Sequence, residues 1–194
     1  MPDNNKIPPI ETNRLILKSM SIPLLRMISE GNYEKAQQLS GFVIPPGLPM
    51  PNRIWLNRRL EMIERDSSQQ KWMYRAILQK NDNRMVGHIS FHHKAPDPEL
   101  LEISELAVEL GYTIDPEYRR RGIAKESAIA MMEWANYESN VRTFILTISP
   151  ANYPSIKLAE AMNFKIIGEH IDEIDGLEYT MMGEIEDVLR TKHA

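Results

Sequence analysis

Residues 109–134 read ELGYTIDPEYRRRGIAKESAIAMMEW. An apolar, strand-forming run ends at Asp115-Pro116, a basic turn with one glycine follows, and a helix-periodic segment opens at Ile123. This is the layout of an anion cradle. A glycine lets main chain approach a ligand closely, the N–H groups of such a turn point one way, and the next helix adds its positive end. Arg119-Arg120-Arg121-Gly122-Ile123-Ala124 fits Arg/Gln-x-x-Gly-x-Gly/Ala, whose two small residues leave room for a pyrophosphate while cationic side chains hold it from outside. It is neither a Walker loop, since no Gly-Lys-Ser/Thr follows, nor a G-x-G-x-x-G fingerprint. Taken alone, the six residues also fit an ordinary basic turn in which Gly122 relieves strain before a helix.

Composition bounds what can be built around this turn. The 194 residues, 42% hydrophobic, suit one domain, 1–194, able to bury about 70% of its unfolded surface. Residues 1–10 are expected to form a flexible extension. There is no cysteine, which excludes disulfides, thiolate metal sites and a covalent thiol mechanism. The polar start MPDNNKIPPIETNR lacks the apolar core of a signal peptide and no later run approaches a membrane span, so a soluble, cytoplasmic protein is expected. A net charge of −4 argues against a broad nucleic-acid-binding face, so the three arginines suit a small polyanion.

Patterning predicts a strand at Thr12–Lys18 and helices at about Ile22–Leu39 and Asn52–Arg65, separated by the proline-rich apolar loop Gly41–Pro51. Trp72–Gln79 and Arg84–His92 read as a hairpin turning at Asn81-Asp82-Asn83. Pro98–Leu110 is ambiguous: Glu99, Glu102, Glu105 and Glu109 are spaced like a helix face, whereas Leu106–Ile114 alternates as a strand. After the helix that begins at Ile123, Arg142–Ser149 reads as a strand. Asn152 caps a short helix to Met162, and Lys165–Glu173 pairs with Leu177–Glu184 around Asp175-Gly176.

Three motifs in this order, Glu11-Thr-Asn-Arg-Leu-Ile-Leu17, Glu109–Glu126, and Asn152-x-x-Ser155 leading to Asn163-Phe164, resemble the GCN5-related N-acetyltransferase superfamily, and most closely its ribosomal-protein N-terminal (alanine) acetyltransferase branch. The resemblance spans about Glu11 to Gly183. It implies a single-domain α/β fold of the α+β kind: a mixed, mostly antiparallel sheet of about seven strands, splayed at one parallel pair and flanked by about four helices. It also implies that acetyl-CoA lies where the strands ending at Ile114 and Ser149 splay. The backbone of Tyr112, Thr113 and Ile114 would bind the pantetheine arm, and Arg119, Arg120, Arg121, Gly122, Ile123 and Ala124 the pyrophosphate. An open strand edge offers an amide-bearing ligand the hydrogen bonds of a missing strand.

Direct acetyl transfer to a primary amine needs a group to take the amine's proton, and a carboxylate is the expected base. Glu109 matches an acidic position of the branch, with Glu105 or Glu102 as alternatives. The leaving thiolate needs a donor. Many family members use a tyrosine seven residues after the helix-opening asparagine, where this chain has Ala159; Ser155, with Tyr153 as second choice, takes that role by resemblance. Asn152 is expected both to cap the helix and to contact pantetheine, and Asn163 to replace a left-handed glycine. The missing tyrosine leaves a second reading, a CoA-binding module that has lost turnover and serves as sensor or structural partner. His88 and His92 share a strand face but lack a third ligand, so they and His93 are expected to be structural or substrate-lining and no metal is implied. The acceptor, whether protein N-terminus, polyamine, amino acid or aminoglycoside, would be gripped by the two early helices, the Gly41–Pro51 loop and the Asp175-Gly176 hairpin. Asp172, Glu173 and Asp175 would suit a cation there. Monomer and homodimer are both compatible with the sequence.

Overall fold

A computed structural model describes residues 7–49 and 53–192. Residues 1–6 of the expected extension, with Met50 and Pro51 of the proline-rich loop and Asn52 of the following helix, lie outside the described residues. Ile10 and Glu11 form a short strand, β1, against β2 (Leu15–Ser19). The expected long helix is two. Helix α1 (Ile22–Ser29) and helix α2 (Tyr33–Ser40) are parted at Gly31, whose φ of 75° a helix cannot continue. Helix α3 (Arg53–Arg65) leads through a 3-10 turn, Ser67–Lys71, into β3 (Arg75–Gln79) and β4 (Met85–Phe91). Trp72, expected to open β3, precedes it by three residues.

Strand β5 runs Ala107–Ile114 and is followed by a 3-10 turn, Pro116–Tyr118, then helix α4 (Ile123–Ser139) and strand β6 (Thr143–Ile148). Helix α5 (Tyr153–Glu160), strands β7 (Lys165–Asp172) and β8 (Gly176–Glu184), and helix α6 (Ile185–Arg190) complete the described chain. Among the described residues the sheet has eight strands rather than seven, and six α-helices flank it rather than four. The additions are β1, the division of the first helix, and α6. Strand order is β1-β2-β3-β4-β5-β6-β8-β7, antiparallel throughout except for β5 beside β6.

Alternation along the strands feeds two cores. Ile77 of β3 joins one, with Trp72, Phe91, Phe144 and the buried stripe of α4 including Met131 and Ala135. Its neighbours Ala76 and Leu78 point the other way, to Leu24, Leu25 and Ile28 of α1 and Leu56, Leu60 and Ile63 of α3. The sheet is thus a middle layer. The second face carries α3 close to the polar ends of β4 and β5, and the site lies there.

Candidate active site

The parallel pairing of β5 with β6 covers Ala107↔Thr143, Val108↔Phe144 and Glu109↔Ile145, and stops. Beyond it Leu110–Ile114 stays with β4, while Leu146–Ile148 stays with β8. The sheet therefore forks, with Glu109 at the apex. Past the fork Arg120 and Gly122 both adopt left-handed backbone, φ 61° and 75°, bending the chain into the start of α4. The side chains of Arg119, Arg120 and Arg121 are exposed. Arg119 Nε donates to Ile114 O at 3.0 Å, Arg121 Nη2 donates to Glu117 O at 2.8 Å, and the Arg121 guanidinium lies over the Tyr118 ring. Ile114's carbonyl is thus engaged within its own turn, and the β4 register turns the main chain of Thr113 towards His88 rather than the fork, so Leu110 and Tyr112, not Thr113, offer free backbone at the edge.

The first motif has a structural task that no local pattern announces. Arg14 Nε donates to Glu126 Oε2 at 2.7 Å and Thr12 Oγ1 to Glu126 Oε1 at 2.5 Å, while Arg14 Nη1 reaches Arg121 O at 3.1 Å. The strand entrance is thereby clasped to the basic turn and to the first turn of α4. These contacts hold the Glu126 carboxyl low, although its partial burial works the other way.

At the apex Glu109 is largely buried. Burial would raise its carboxyl, but the charge and hydrogen bond of His92, the Thr147 hydroxyl and the Arg59 guanidinium together hold it down to about 2. His92 Nδ1 lies 3.2 Å from Glu109 Oε1, and Thr147 Oγ1 donates to the same oxygen at 2.5 Å from across the fork. Arg59, nearly buried on α3, donates from Nη1 to His92 O at 2.6 Å. Glu102 and Glu105 are exposed in the turn before β5 and do not line the cleft. Of the three carboxylates expected at the base position, only Glu109 stands at the fork.

Asn152 caps α5, its Oδ1 accepting the Ser155 N–H at 3.4 Å. Ser155 adjoins Tyr112, whose phenol is raised by burial and drawn slightly back by that serine. The Tyr112 hydroxyl is buried and makes no hydrogen bond of standard geometry among the described residues. Tyr153 is 68% exposed, whereas Ser155 is half-buried. Ala159 is fully buried, which places that position in the core. Asn163 has the left-handed backbone expected of it, φ 64°, and its amide donates to Asp187 O at 2.9 Å, tying α5 to α6.

A cleft of about 580 Å³ opens from the apex between α3 and the β7–β8 hairpin. Of the early helices only α3 lines it, through Trp55, Arg58, Arg59 and Met62. Trp55 Nε1 donates to Asp175 Oδ2 at 3.0 Å, joining the two walls. Asp172 and Asp175 face the cleft as expected; Glu173 does not line it, and Glu178, which the sequence reading passed over, does. Burial raises the Glu178 carboxyl, and the negative charges of Asp175 and Glu109 add to this. The signal for Glu178 was weak, because its role depends on β8 lying opposite α3. His88 and His92 both line the cleft, on one strand face as expected. In the segment between β4 and β5, side-chain nitrogen and oxygen atoms of His93, Asp97 and Glu99 come within 4.8 Å of one another, and there Asp97 Oδ1 accepts the Glu99 N–H.

This arrangement offers an open strand edge, an anion-suited turn at one end, and a titratable pair where a polar cleft meets the fork. Residues 34–165 match the family model of the acetyltransferase (GNAT) domain. The uncharacterized N-acetyltransferase YjdG of Bacillus subtilis is 24% identical over 163 residues, 80% of this chain and 88% of that protein. A second, the uncharacterized N-acetyltransferase YnaD of the same organism, is 26% identical over 89 residues, 46% of this chain; the match spans about half of that relative, 48%. The crystal structure of ribosomal-protein-S5-alanine acetyltransferase from Vibrio fischeri superposes with a TM-score of 0.61 at 16% identity, covering 92% of this chain and 97% of that one, a likeness of fold.

Proposed function

The chain belongs to the GNAT acetyltransferase family, and from that premise we propose that it transfers the acetyl group of acetyl-CoA to the primary amine of a cationic acceptor. The observation that carries this reading is the coincidence of two features at one point, the fork in the sheet and the inner end of the acidic cleft, both at Glu109. Acetyl-CoA supplies an activated thioester. The open edge at Leu110 and Tyr112 and the turn Arg119–Ala124 suit its pantetheine and pyrophosphate, because exposed main-chain groups and clustered arginines match amides and phosphates. Asn152 stands at the far side of the fork, where it caps α5 and is available to the same arm.

Chemistry on this side of the chain is a matter of protons. An alkylammonium titrating near about 10.4 must lose a proton before its nitrogen can attack, and the Glu109–His92 pair is positioned to receive it. Ser155, beside Tyr112, donates to the departing sulfur. The carboxylates of Glu99, Asp172, Asp175 and Glu178 outnumber Arg58 and Arg59 along the cleft, which favours an acceptor bearing positive charge.

Release of CoA thiol from acetyl-CoA, measured against a panel of polyamines, amino acids, aminoglycosides and peptides with free N-termini, tests the reading. Turnover with at least one cationic amine is expected. Acetyl-CoA at one hundred times its dissociation constant should also stabilise the fold by about 2.7 kcal/mol. Absence of any stabilisation at millimolar acetyl-CoA overturns the assignment of the donor.

A further inference from the structure

Within that reading, we infer that His92 Nε2 takes the acceptor's proton and that Glu109 is the positioning carboxylate that turns the ring to do so. The inference rests on the proposed acetyl transfer. Three observations support it. The first is accessibility: the His92 side chain is 30% exposed and lines the cleft, whereas that of Glu109 is 13% exposed and its Oε1 is occupied by both His92 and Thr147. Donors gathered on one oxygen favour the charged carboxylate and make it a weaker proton acceptor than a free one.

The second is the tautomer. With Nδ1 3.2 Å from Glu109 Oε1, the carboxylate favours the tautomer of a neutral ring that carries its proton on Nδ1 and its lone pair on Nε2. Arg59 Nη1 donates to His92 O at 2.6 Å and so fixes the backbone that carries the ring.

The third is where Nε2 lies. A Cβ built on Gly111 would stand 3.1 Å from His92 Nε2, so the nitrogen is laid against bare main chain of β5, one residue before Tyr112. Tyr112, the next residue, turns its main chain to the edge proposed for the acyl donor. Both reactants therefore meet beside Nε2. In the step, Nε2 takes one proton from the acceptor's ammonium and the freed nitrogen lone pair forms the C–N bond. The C–S bond breaks, the sulfur takes a proton from Ser155, which recovers one from solvent, and His92 gives its proton to solvent. The new amide sheds its remaining extra proton to solvent.

The test compares wild type, His92→Gln and Glu109→Gln in acetyl transfer to spermidine and to a peptide with an N-terminal alanine. Acetyl-CoA affinity is measured by calorimetry, and the wild-type and Glu109→Gln ring nitrogens are followed by 15N NMR. Glutamine at 92 keeps an N–H donor for Glu109. We expect His92→Gln to lower kcat about 100-fold or more, with acetyl-CoA affinity and amine KM within about threefold. Glu109→Gln should cost less in kcat and should mix the two ring tautomers that wild type keeps apart. A His92→Gln enzyme with near-normal kcat, or a wild-type ring protonated on Nε2, overturns the assignment, and a loss confined to Glu109→Gln returns the base to the carboxylate. A wild type that binds acetyl-CoA but acetylates neither amine overturns acetylation of these amine classes, and the role of His92 in it, while leaving the donor site standing.

Discussion

Gly122→Asp tests the anion-binding turn at the level of a single atom group. At φ 75° any side chain costs about 1 kcal/mol, and a Cβ here would also approach Arg14 Nη2 to 3.3 Å. Gly122→Ala carries those costs alone, whereas aspartate adds a negative charge where a pyrophosphate is proposed. Calorimetry with acetyl-CoA should find a modest loss in the alanine variant and a loss of about 100-fold or more in the aspartate variant. Equal losses in both would make the effect one of backbone strain and remove the phosphate from this turn. Gly122 could be read from sequence because its requirement is local, a left-handed residue between arginines and a helix. Arg14 could not: its partner Glu126 is 112 positions away, and only folding brings them together. His92 stayed undecided for the same reason, since what distinguishes it from a lining histidine is Glu109 on the neighbouring strand.

At the scale of elements, β5 does most to shape the site, and Gly111 is where its backbone matters. Gly111→Ala leaves the ladder to β4 intact but places a methyl 3.1 Å from His92 Nε2, so the ring must shift by a few tenths of an ångström. A displacement of about 1 Å can cost about 100-fold in rate, so a loss of about tenfold in kcat is expected, with acetyl-CoA affinity within about threefold. Unchanged kcat would show that the ring has slack. The start of β5 was ambiguous in sequence because the glutamates before it happen to be spaced like a helix face; the chain makes turns there and enters the strand at Ala107. Two elements escaped the reading through shortness. β1 has two residues and α6 six, too few for a period to show. The fork became legible only through the family resemblance, because which strands pair, and where pairing stops, is written in no single segment.

For the whole molecule, the placement of polar groups between the two cores has a consequence for stability in acid. His88 is buried with no hydrogen bond of standard geometry to either ring nitrogen among the described residues, and burial pushes its titration down to about 4, against a slight upward pull from a weak contact with the Pro49 backbone. An unfolded histidine titrates near about 6.5. Between these values the unfolded chain binds a proton that the native chain refuses, so stability falls as pH falls, by about 2 to 3 kcal/mol at pH 4.5 relative to pH 7. Glu109 acts in a lower window. Its carboxyl is held at about 2 in the fold, so its contribution is present above the unfolded value near about 4.3 and drains away below that. The first step of acid destabilisation therefore belongs to His88. His88→Phe keeps an aromatic ring beside Tyr74, whose centroid lies 6.2 Å away, and removes the titration. Urea unfolding at pH 7 and pH 4.5 should show wild type losing about 2 to 3 kcal/mol more than His88→Phe over that interval. Equal losses in the two proteins would mean that the ring finds a partner or solvent in the native state, and the cleft floor beside Tyr74 would then be wet rather than dry.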